Sequence, residues 1–306
     1  MSKKIMYFLT PGTHISPFDV TLAVDAGFEL VLPFTKVPPN KIATMIQDAI
    51  FCRPPKRFNE TGIFIGGRDV DLATDMFQNA KNAMIAPYEV GVLADPNGAY
   101  TTSASIVALI EKVLQDHTRQ GLQGRQVAVL GTGPVGLCTA ILATQQGATV
   151  KLCSLMADDD QRSALQFCDR YNAHVDWASA QTHEERALAI QDAEVVICAA
   201  RAGIRVLDDS LLQTKNLVLV ADTNAVPPSG VVGIGLHDLG AIVDHAGIRF
   251  LSIGPLAIGQ LKYKTQFGLF QKIQYSNQAA LIDFPDAYAF ALSVLDEQTI
   301  NLAEAV

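Results

Sequence analysis

Apolar residues in the first hundred positions alternate between two spacings. Short runs of consecutive apolar residues, typical of buried parallel strands, occupy 4–10, 28–33, 62–65 and 88–94. Between these runs apolar residues recur at helical spacing over 18–26, over 42–49 with Asn40 as the expected N-cap, and over 69–84 with Leu72, Met76, Phe77 and Ala80 on one face. Strands that alternate with helices of this length predict crossover connections and a parallel sheet.

The alternation continues after a long helix at 101–116 and a polar stretch at 116–121. Further strands are predicted at 126–130, 148–153, 194–200, 217–222 and 249–253, and helices at 134–146, 158–171, 257–274 and 283–295. We predict an α/β fold of two domains: an N-terminal α/β domain at 1–116 and a Rossmann-type doubly wound parallel sheet at 117–256. The C-terminal helices at 257–306 are expected to return to the first domain.

Composition narrows the class of protein. The chain has 306 residues, 49% of them hydrophobic, and a mean hydropathy of +0.21, which argues against disorder. A net charge of -8 without a basic cluster argues against nucleic-acid binding. No apolar run reaches membrane-span length, and the apolar N-terminus breaks at Pro11 without a cleavage site. Five cysteines without a CxxC pair predict reduced thiols and a cytoplasmic location.

A glycine-rich turn is the strongest local signal in the chain. An apolar run leads directly into Gly131-Thr132-Gly133-Pro134-Val135-Gly136, and a helical pattern follows. In a dinucleotide-binding turn the three glycines permit the tight turn, the close approach of the diphosphate and the packing of helix on strand. A tight strand-to-helix turn without a ligand is the alternative. We predict nicotinamide-dinucleotide binding, with the anion at the helix N-terminus.

The choice between NAD and NADP depends on the end of the second Rossmann strand. That end carries neither an acidic residue at its tip nor an arginine for a 2′-phosphate. Ser154 is expected to bond a ribose of either cofactor, and the acidic run 158–160 either repels a 2′-phosphate or begins a helix. NAD is slightly favoured and NADP stays open. Six scattered histidines and no HxxxH or CxxC spacing predict no metal site.

A set of further motifs covers nearly the whole chain. The motifs are Ser16-Pro17-Phe18-Asp19-Val20, Asp25-Ala26-Gly27, Gly62 to Gly67, Asp95-Pro96-Asn97-Gly98 with Thr101-Thr102, the Gly131 to Gly136 turn, Ala221 to Pro228, and Gly254 to Lys264. In this order they resemble the bacterial methylenetetrahydromethanopterin dehydrogenases of one-carbon metabolism, whose relatives also act on methylenetetrahydrofolate. Leu155 stands where the strictly NADP-dependent branch has arginine, and the N-terminal segment is closer to the branch that accepts NAD and NADP.

The resemblance implies a pterin substrate in the first domain, hydride transfer to NAD(P)+ in formaldehyde oxidation, and a homotrimer or homohexamer. The family's active-site lysine matches Lys262, which we assign to the pterin carbonyl or tail, with a solvated lysine as the alternative. The remaining candidates for the pterin are Asp19, His14, Asp95, Asn97, Thr101, Thr102 and Lys264. The candidates for the cofactor are the glycine turn, Ser154, Ala199, Ala200 and Asn224. Helix caps, Asx turns and close-packed loops are the alternatives for these residues.

Four other functions compete with this interpretation. A shikimate or quinate dehydrogenase needs a Lys–Asp proton-transfer pair, which is not found around Lys56. A bifunctional folate dehydrogenase–cyclohydrolase needs a tyrosine–lysine pattern that the first domain lacks. A non-catalytic dinucleotide-binding redox sensor and a methylenetetrahydrofolate dehydrogenase stay open.

Overall fold

A computed structural model describes residues 3–245 and 247–304. The chain divides into two compact units, of which the first is Met1–Thr101 with Tyr263–Val306 and the second is Thr102–Lys262. Both boundaries fall inside long helices, whereas the sequence places them at 116/117 and 256/257. The helix before the polar stretch at 116–121 runs from Ala99 to Thr118. No helix in the described ranges is both long and apolar enough to span a membrane.

The first unit contains a five-stranded sheet. Its elements are β1 (Ile5–Leu9), α1 (Pro17–Asp25), β2 (Leu30–Phe34), α2 (Ile42–Phe51), β3 (Thr61–Ile65), α3 (Val70–Asn82), β4 (Gly91–Ala94), the start of α4 (Ala99–Thr118), and, from the C-terminal segment, β12 (Leu281–Ile282) and α9 (Phe284–Glu304). The strand order is β12-β4-β3-β1-β2, and every pair is parallel. The C-terminal segment thus adds a strand beside β4.

Aromatic rings form the centre of this unit. Phe8 of β1 and Phe64 of β3 lie with ring centroids 4.5 Å apart. Phe270, from the helix α8 (Pro255–Tyr275), lies 5.6 Å from Phe64 and is fully buried. The ring of Phe270 therefore attaches the C-terminal segment to the sheet, since burying a phenylalanine contributes roughly 1.5–3 kcal/mol.

Two local predictions for the first unit are wrong. The run at 28–33 is not a buried strand, because β2 lies at the sheet edge with Leu32 39% and Phe34 42% exposed. Asn40 caps no helix, because it lies in the 3-10 turn Pro39–Lys41 and α2 starts after it. On α3, Met76, Phe77 and Ala80 of the predicted face are buried, and Leu72 lies at the rim of that face, 36% exposed.

The second unit contains a seven-stranded sheet. Its elements are the rest of α4, β5 (Gln126–Leu130), α5 (Pro134–Gln145), β6 (Thr149–Ser154), α6 (Gln161–Asp169), β7 (Asp176–Ser179), α7 (His183–Ile190), β8 (Val195–Cys198), β9 (Leu219–Asp222), β10 (Leu239–His245) and β11 (Ile248–Ile253). The order is β10-β11-β9-β8-β5-β6-β7, parallel except for the antiparallel pair of β10 with β11. Counted from β5 and without β10, this is the Rossmann order 3-2-1-4-5-6. The predicted α/β fold is confirmed.

Sequence analysis missed three elements of this unit. Strand β7 is short and half-exposed, so it lacks a continuous apolar run. Helix α7 begins with polar residues and is fixed instead by a capping box between Thr182 and Glu185. Strand β10 is an exposed edge strand that contains Gly240 and a register shift.

Candidate substrate and cofactor sites

A crevice opens in the first unit where the strand order reverses. From β1 the chain crosses to β2 on one side and β3 lies on the other, so the loops after β1 and β3 diverge at the carboxyl edge. Ligands of open α/β sheets bind at such points. A cavity of about 340 Å³ lies here, with Phe8, Leu9 and Phe64 among its apolar walls. Its polar lining includes His14, Asp19, Arg68 and Asn97.

Asp19 presents a carboxylate from the first turn of α1. The side chain is 6% exposed and lines the cavity. The Nε2 of Gln266, on α8, donates a hydrogen bond of 2.7 Å to Asp19 Oδ1. Position in the first helical turn favours the negative charge. Gln266 was missed by the sequence analysis, because the two residues are 247 positions apart and no local pattern joins them.

The other polar groups of the cavity lie on loops. His14 Nδ1 lies 3.3 Å from Thr13 Oγ1. Asn97 is exposed and adopts a left-handed backbone with φ of 54°, as asparagine in a tight turn does. Arg68 is exposed after the Gly66–Gly67 turn. Sequence analysis missed Arg68 because a single arginine in a polar loop carries no pattern.

The buried pair Asp95 and Thr101 caps α4. Asp95 Oδ1 accepts from the backbone N–H of Tyr100 at 2.9 Å and of Thr101 at 3.2 Å, and Oδ2 accepts from Thr101 Oγ1 at 2.6 Å. Both side chains are fully buried. These contacts match the helix-cap alternative for Thr101, and they give Asp95 a capping role as well.

Three further candidates, Thr102, Lys262 and Lys264, are not among the described residues that line the cavity. Thr102 lies on α4 and is half-buried. Lys262 and Lys264 lie on α8, Lys262 half-buried and Lys264 exposed. Lys262 is the last residue of the second unit, and Lys264 belongs to the first.

The second sheet reverses its order between β5 and β8, at the glycine-rich turn. Gly131 has φ of +117°, and a Cβ on it would lie 2.6 Å from the carbonyl oxygen of Ala199. A Cβ on Gly136 would lie 1.9 Å from the carbonyl oxygen of Gly131. Both positions therefore require glycine for the fold of the turn itself.

Gly133 is different, because a Cβ built on it meets no described atom within 4 Å. It is the N-cap of α5, with Pro134 at N1 and no side chain capping the helix in the described structure. The first-turn N–H groups of Val135 and Gly136 have no partner within the helix. Open space beside unpaired N–H groups at a helix N-terminus fits a diphosphate. Thr132 completes the turn and is half-buried.

One acidic side chain of the run 158–160, that of Asp159, lies at the end of β6. Ser154 is buried, and its Oγ lies 2.8 Å from Asp159 Oδ2 and 2.8 Å from the carbonyl oxygen of Met156. The backbone N–H of Met156 also donates to Asp159 Oδ2, at 3.3 Å. The loop therefore returns Asp159 to the strand tip, and Ser154 holds it there.

The rest of the acidic run begins a helix. Asp160 caps α6 by accepting from the N–H and the Oγ of Ser163, and these bonds lower the pKa of the Asp160 carboxyl. Asp158 is exposed. The run 158–160 thus begins a helix at Asp160, as one of its two alternatives predicts.

Loops after β8 and β9 complete this carboxyl edge. Ala199 and Ala200 are half-buried beside the glycine turn. Asn224 accepts from the N–H of Gly203 at 3.1 Å and of Val226 at 2.9 Å, and its Nδ2 donates to the carbonyl oxygen of Pro228 at 2.7 Å. Its amide thus holds the loop around Pro228, as the alternative to nicotinamide binding predicts.

The end of β9 carries a buried carboxylate. Asp222 accepts from the backbone N–H of Asn224 at 3.0 Å and of Val231 at 3.1 Å. Burial raises the pKa of the Asp222 carboxyl.

His183, Ser210 and Asp208 lie close together, as the residues of a catalytic triad do, but they do not have the geometry of a triad. His183 Nε2 lies 2.9 Å from Ser210 Oγ and 3.6 Å from Asp208 Oδ2, while Ser210 Oγ donates to Asp208 Oδ1 at 2.6 Å. A triad needs the carboxylate on the other ring nitrogen. Elsewhere within 3–245 and 247–304, no three His, Cys, Asp or Glu side chains group as metal ligands do.

A family model and a curated relative that match this chain both carry the name of methylenetetrahydromethanopterin dehydrogenase. A family model described as "Methylene-tetrahydromethanopterin dehydrogenase, N-terminal" matches residues 17–97. The chain is 36% identical over 299 residues to the NAD(P)-dependent methylenetetrahydromethanopterin dehydrogenase of Methylorubrum extorquens, covering 96% of this chain and 99% of that protein. It is 31% identical to the Bifunctional protein MdtA of the same organism, covering 95% and 99%.

Among solved structures, ornithine carbamoyltransferase from Pyrococcus furiosus matches with a TM-score of 0.51 and 12% identity, covering 89% of this chain and 83% of that one. A likeness at this level of identity concerns the fold alone.

Proposed function

The chain belongs to the methylenetetrahydromethanopterin dehydrogenase family, and from this premise we propose that it catalyses the reversible oxidation of methylenetetrahydromethanopterin to the methenyl form by hydride transfer to NAD(P)+. The resemblance predicted from the sequence motifs is confirmed by the near full-length relative. The observation that carries the proposal is that each unit has a fitting crevice at its strand reversal. One crevice is a polar cavity with a buried carboxylate, and the other is a glycine cradle for a diphosphate.

The reaction explains why the site needs no proton-transfer machinery. Removing a hydride from the methylene carbon leaves a cation delocalised over two nitrogens, and no proton moves. Positioning of the reactants can therefore supply most of the rate enhancement. The nicotinamide ring, when bound, accepts the hydride. The glycine turn and the N–H groups of Val135 and Gly136 would hold the cofactor's diphosphate.

Side chains of the first unit would hold the pterin. Asp19 is suited to accept hydrogen bonds from the amino edge of the pterin, because its carboxylate lines the cavity from a buried position. Arg68 is a cation at the same cavity, suited to the anionic tail that both methanopterin and folate carry. We keep Lys262 as the residue that anchors the pterin carbonyl or tail.

We propose further that NAD+ is used at least as well as NADP+. Support comes from Asp159, whose carboxylate is held at the end of β6 where a ribose 2′-hydroxyl is bonded in NAD-specific Rossmann folds. A 2′-phosphate would meet that negative charge, and Leu155 offers no cation to offset it. The finer assignments to a cytoplasmic homotrimer or homohexamer in formaldehyde oxidation stay proposals, supported for location by five free thiols, four of them buried.

The direct experiment assays purified protein with methylenetetrahydromethanopterin and methylenetetrahydrofolate, each with NAD+ and NADP+. We expect turnover with the methanopterin substrate and a kcat nearly independent of pH between about 6 and 8, since no side chain transfers a proton. Absence of turnover with either pterin overturns the dehydrogenase and favours a redox sensor. A higher kcat/KM with the folate assigns the alternative substrate. A hundredfold preference for NADP+ overturns only the cofactor proposal.

A further inference from the structure

A buried glutamine connects the C-terminal helix α8 to the proposed pterin cavity. Gln266 is 0% exposed and lies one helical turn before the core residue Phe270. Its Nε2 donates to Asp19 Oδ1 at 2.7 Å. Buried amide groups are retained where their hydrogen bonds are made, because an unmade bond leaves the desolvation penalty in place. The bond therefore fixes both side chains.

We propose that Gln266 is a positioning residue for substrate binding, which acts through Asp19. The inference rests on the proposed pterin substrate. Asp19 lines the cavity and Gln266 does not, so Gln266 influences a ligand only through the carboxylate it holds. A carboxylate fixed at one oxygen cannot rotate freely about its terminal torsion, which is otherwise broad. The amino edge of a pterin then meets an acceptor already oriented toward it.

The chemistry of an amide suits this task better than that of a charged residue. A glutamate in this place would repel Asp19, and the two carboxylates would share a proton. A lysine would neutralise Asp19 and compete with the ligand for its lone pairs. Glutamine donates a hydrogen bond and adds no charge of its own, so it orients Asp19 without changing the net charge of the pair.

The same helix offers a matched control. Gln274 is also buried, at 1% exposed, and its Nε2 donates to the carbonyl oxygen of Ala26, just after the C-terminus of α1. Its Oε1 accepts from Lys4 Nζ at 2.9 Å. Gln274 thus connects the same helices by the same group, but at the end of α1 remote from Asp19 and outside the described lining of the cavity. A purely structural role predicts equal behaviour for both glutamines.

The test compares Gln266→Met with Gln274→Met in the full chain. We expect both to lower Tm, but only Gln266→Met to raise KM for the pterin, by roughly tenfold to a hundredfold, as for loss of a hydrogen bond to a charged group. KM for NAD+ should not change in either. If wild type turns over the pterin and the two variants have the same pterin KM, the inference is wrong. If wild type shows no turnover with either pterin, the proposed function fails first and takes the inference with it.

A second variant keeps the test decisive if Gln266→Met does not fold. Gln266→Glu donates to Asp19 only while the pair holds a shared proton. We expect its pterin KM to approach the wild-type value near pH 5.5 and to rise severalfold by pH 8, whereas Gln274→Glu follows the wild type at both pH values. A pH-independent KM in Gln266→Glu overturns the positioning role.

Discussion

The carboxyl edges of the two sheets differ in the chemical groups that they offer to a ligand. At the reversal of the second sheet, the chain offers backbone N–H groups and space, and its key residues have no side chains beyond Cα. At the reversal of the first sheet, the cavity is lined by side chains from the loops after β1, β3 and β4 and from α1. One site is a property of a single turn, and the other requires several distant segments to meet.

This difference determines how each site fails. A backbone-built site is lost when an added atom collides with the turn, so steric substitutions damage fold and binding together. A side-chain-built site loses single hydrogen bonds, so its substitutions damage binding by graded amounts while the sheet persists. Substitutions at the two sites should therefore differ in whether Tm falls together with ligand affinity.

The largest effect is expected from Gly136→Ala. The new Cβ would lie 1.9 Å from the Gly131 carbonyl oxygen, so the helix must move away from the strand. We expect destabilisation of at least about 3 kcal/mol, a fall in Tm of roughly 6–12 °C, and loss of NAD+ binding. Gly133→Ala is the control, since its Cβ meets nothing within 4 Å and its φ of -70° suits alanine. It should keep Tm and lose cofactor affinity alone; a normal affinity in Gly133→Ala would place the diphosphate elsewhere.

The next effect concerns the two lysines of α8. Residues two apart on a helix point about 200° away from each other. Lys262 is half-buried and Lys264 exposed. We expect Lys262→Ala to lower kcat/KM for the pterin roughly ten- to a hundredfold, with NAD+ affinity unchanged, and Lys264→Ala to behave as wild type. Steady-state kinetics with separate cofactor titrations measure both. If only Lys264→Ala is impaired, the lysine is misassigned; if neither is, both are solvated.

A smaller effect is expected at the end of β6. Asp159→Asn keeps the shape of the side chain and removes the charge opposed to a 2′-phosphate. We expect the ratio of kcat/KM for NAD+ to that for NADP+ to fall by about tenfold, on the scale of one charge-assisted bond. Leu155→Arg should shift the ratio in the same direction by adding a cation. Asp158→Asn, at an exposed neighbour, is the control, and an equal shift there would mean that general charge, not Asp159, sets the preference.

The smallest effect is a pH dependence of stability at the first sheet. Burial and the neighbouring Asp286 raise the pKa of the Asp283 carboxyl from 3.8 to about 7. The folded state therefore holds a proton that the unfolded state releases, so this residue's contribution is fully present below about pH 4 and is lost as pH rises through 7. Asp283→Asn keeps a good N-cap for α9 and should raise Tm at pH 8 by about 2–4 °C, with no change at pH 4.

The carboxylate at the corresponding edge of the second sheet gives the contrast. Asp222 also has a raised pKa, but it accepts from the backbone N–H groups of Asn224 and Val231. An amide replaces one of its acceptor oxygens by a donor, so Asp222→Asn should lower Tm at every pH. Thermal unfolding from pH 4 to 8 measures this effect. If Asp222→Asn raises Tm, the charge of Asp222 destabilises the fold as that of Asp283 does.

The contrast between the two edges also explains which features the sequence could predict. The glycine turn was predictable because all its constraints lie within six consecutive residues. The acidic run 158–160 was noted in the sequence, but the one acid that reaches the strand tip was not identified, because Asp159 lies five residues beyond Ser154 and returns through a loop. The contact of Gln266 could not be predicted, because the residue lies 247 positions from Asp19 and only the folded chain brings the two together. Strand β2 was taken as buried because its apolar residues resemble those of β3, and only the strand order reveals that it forms an edge.

Strand β12 sets the order in which the chain can fold during synthesis. It pairs with β4, and Phe270 of α8 packs on Phe64, yet both follow residue 262 in the chain. The second unit, Thr102–Lys262, is fully synthesised before that segment appears. Domains usually fold from the N-terminus onward as they emerge. Here the sheet of the first unit keeps an unpaired edge at β4 until β12 is made, so a chain truncated before Leu281 would hold a complete second unit and an incomplete first one.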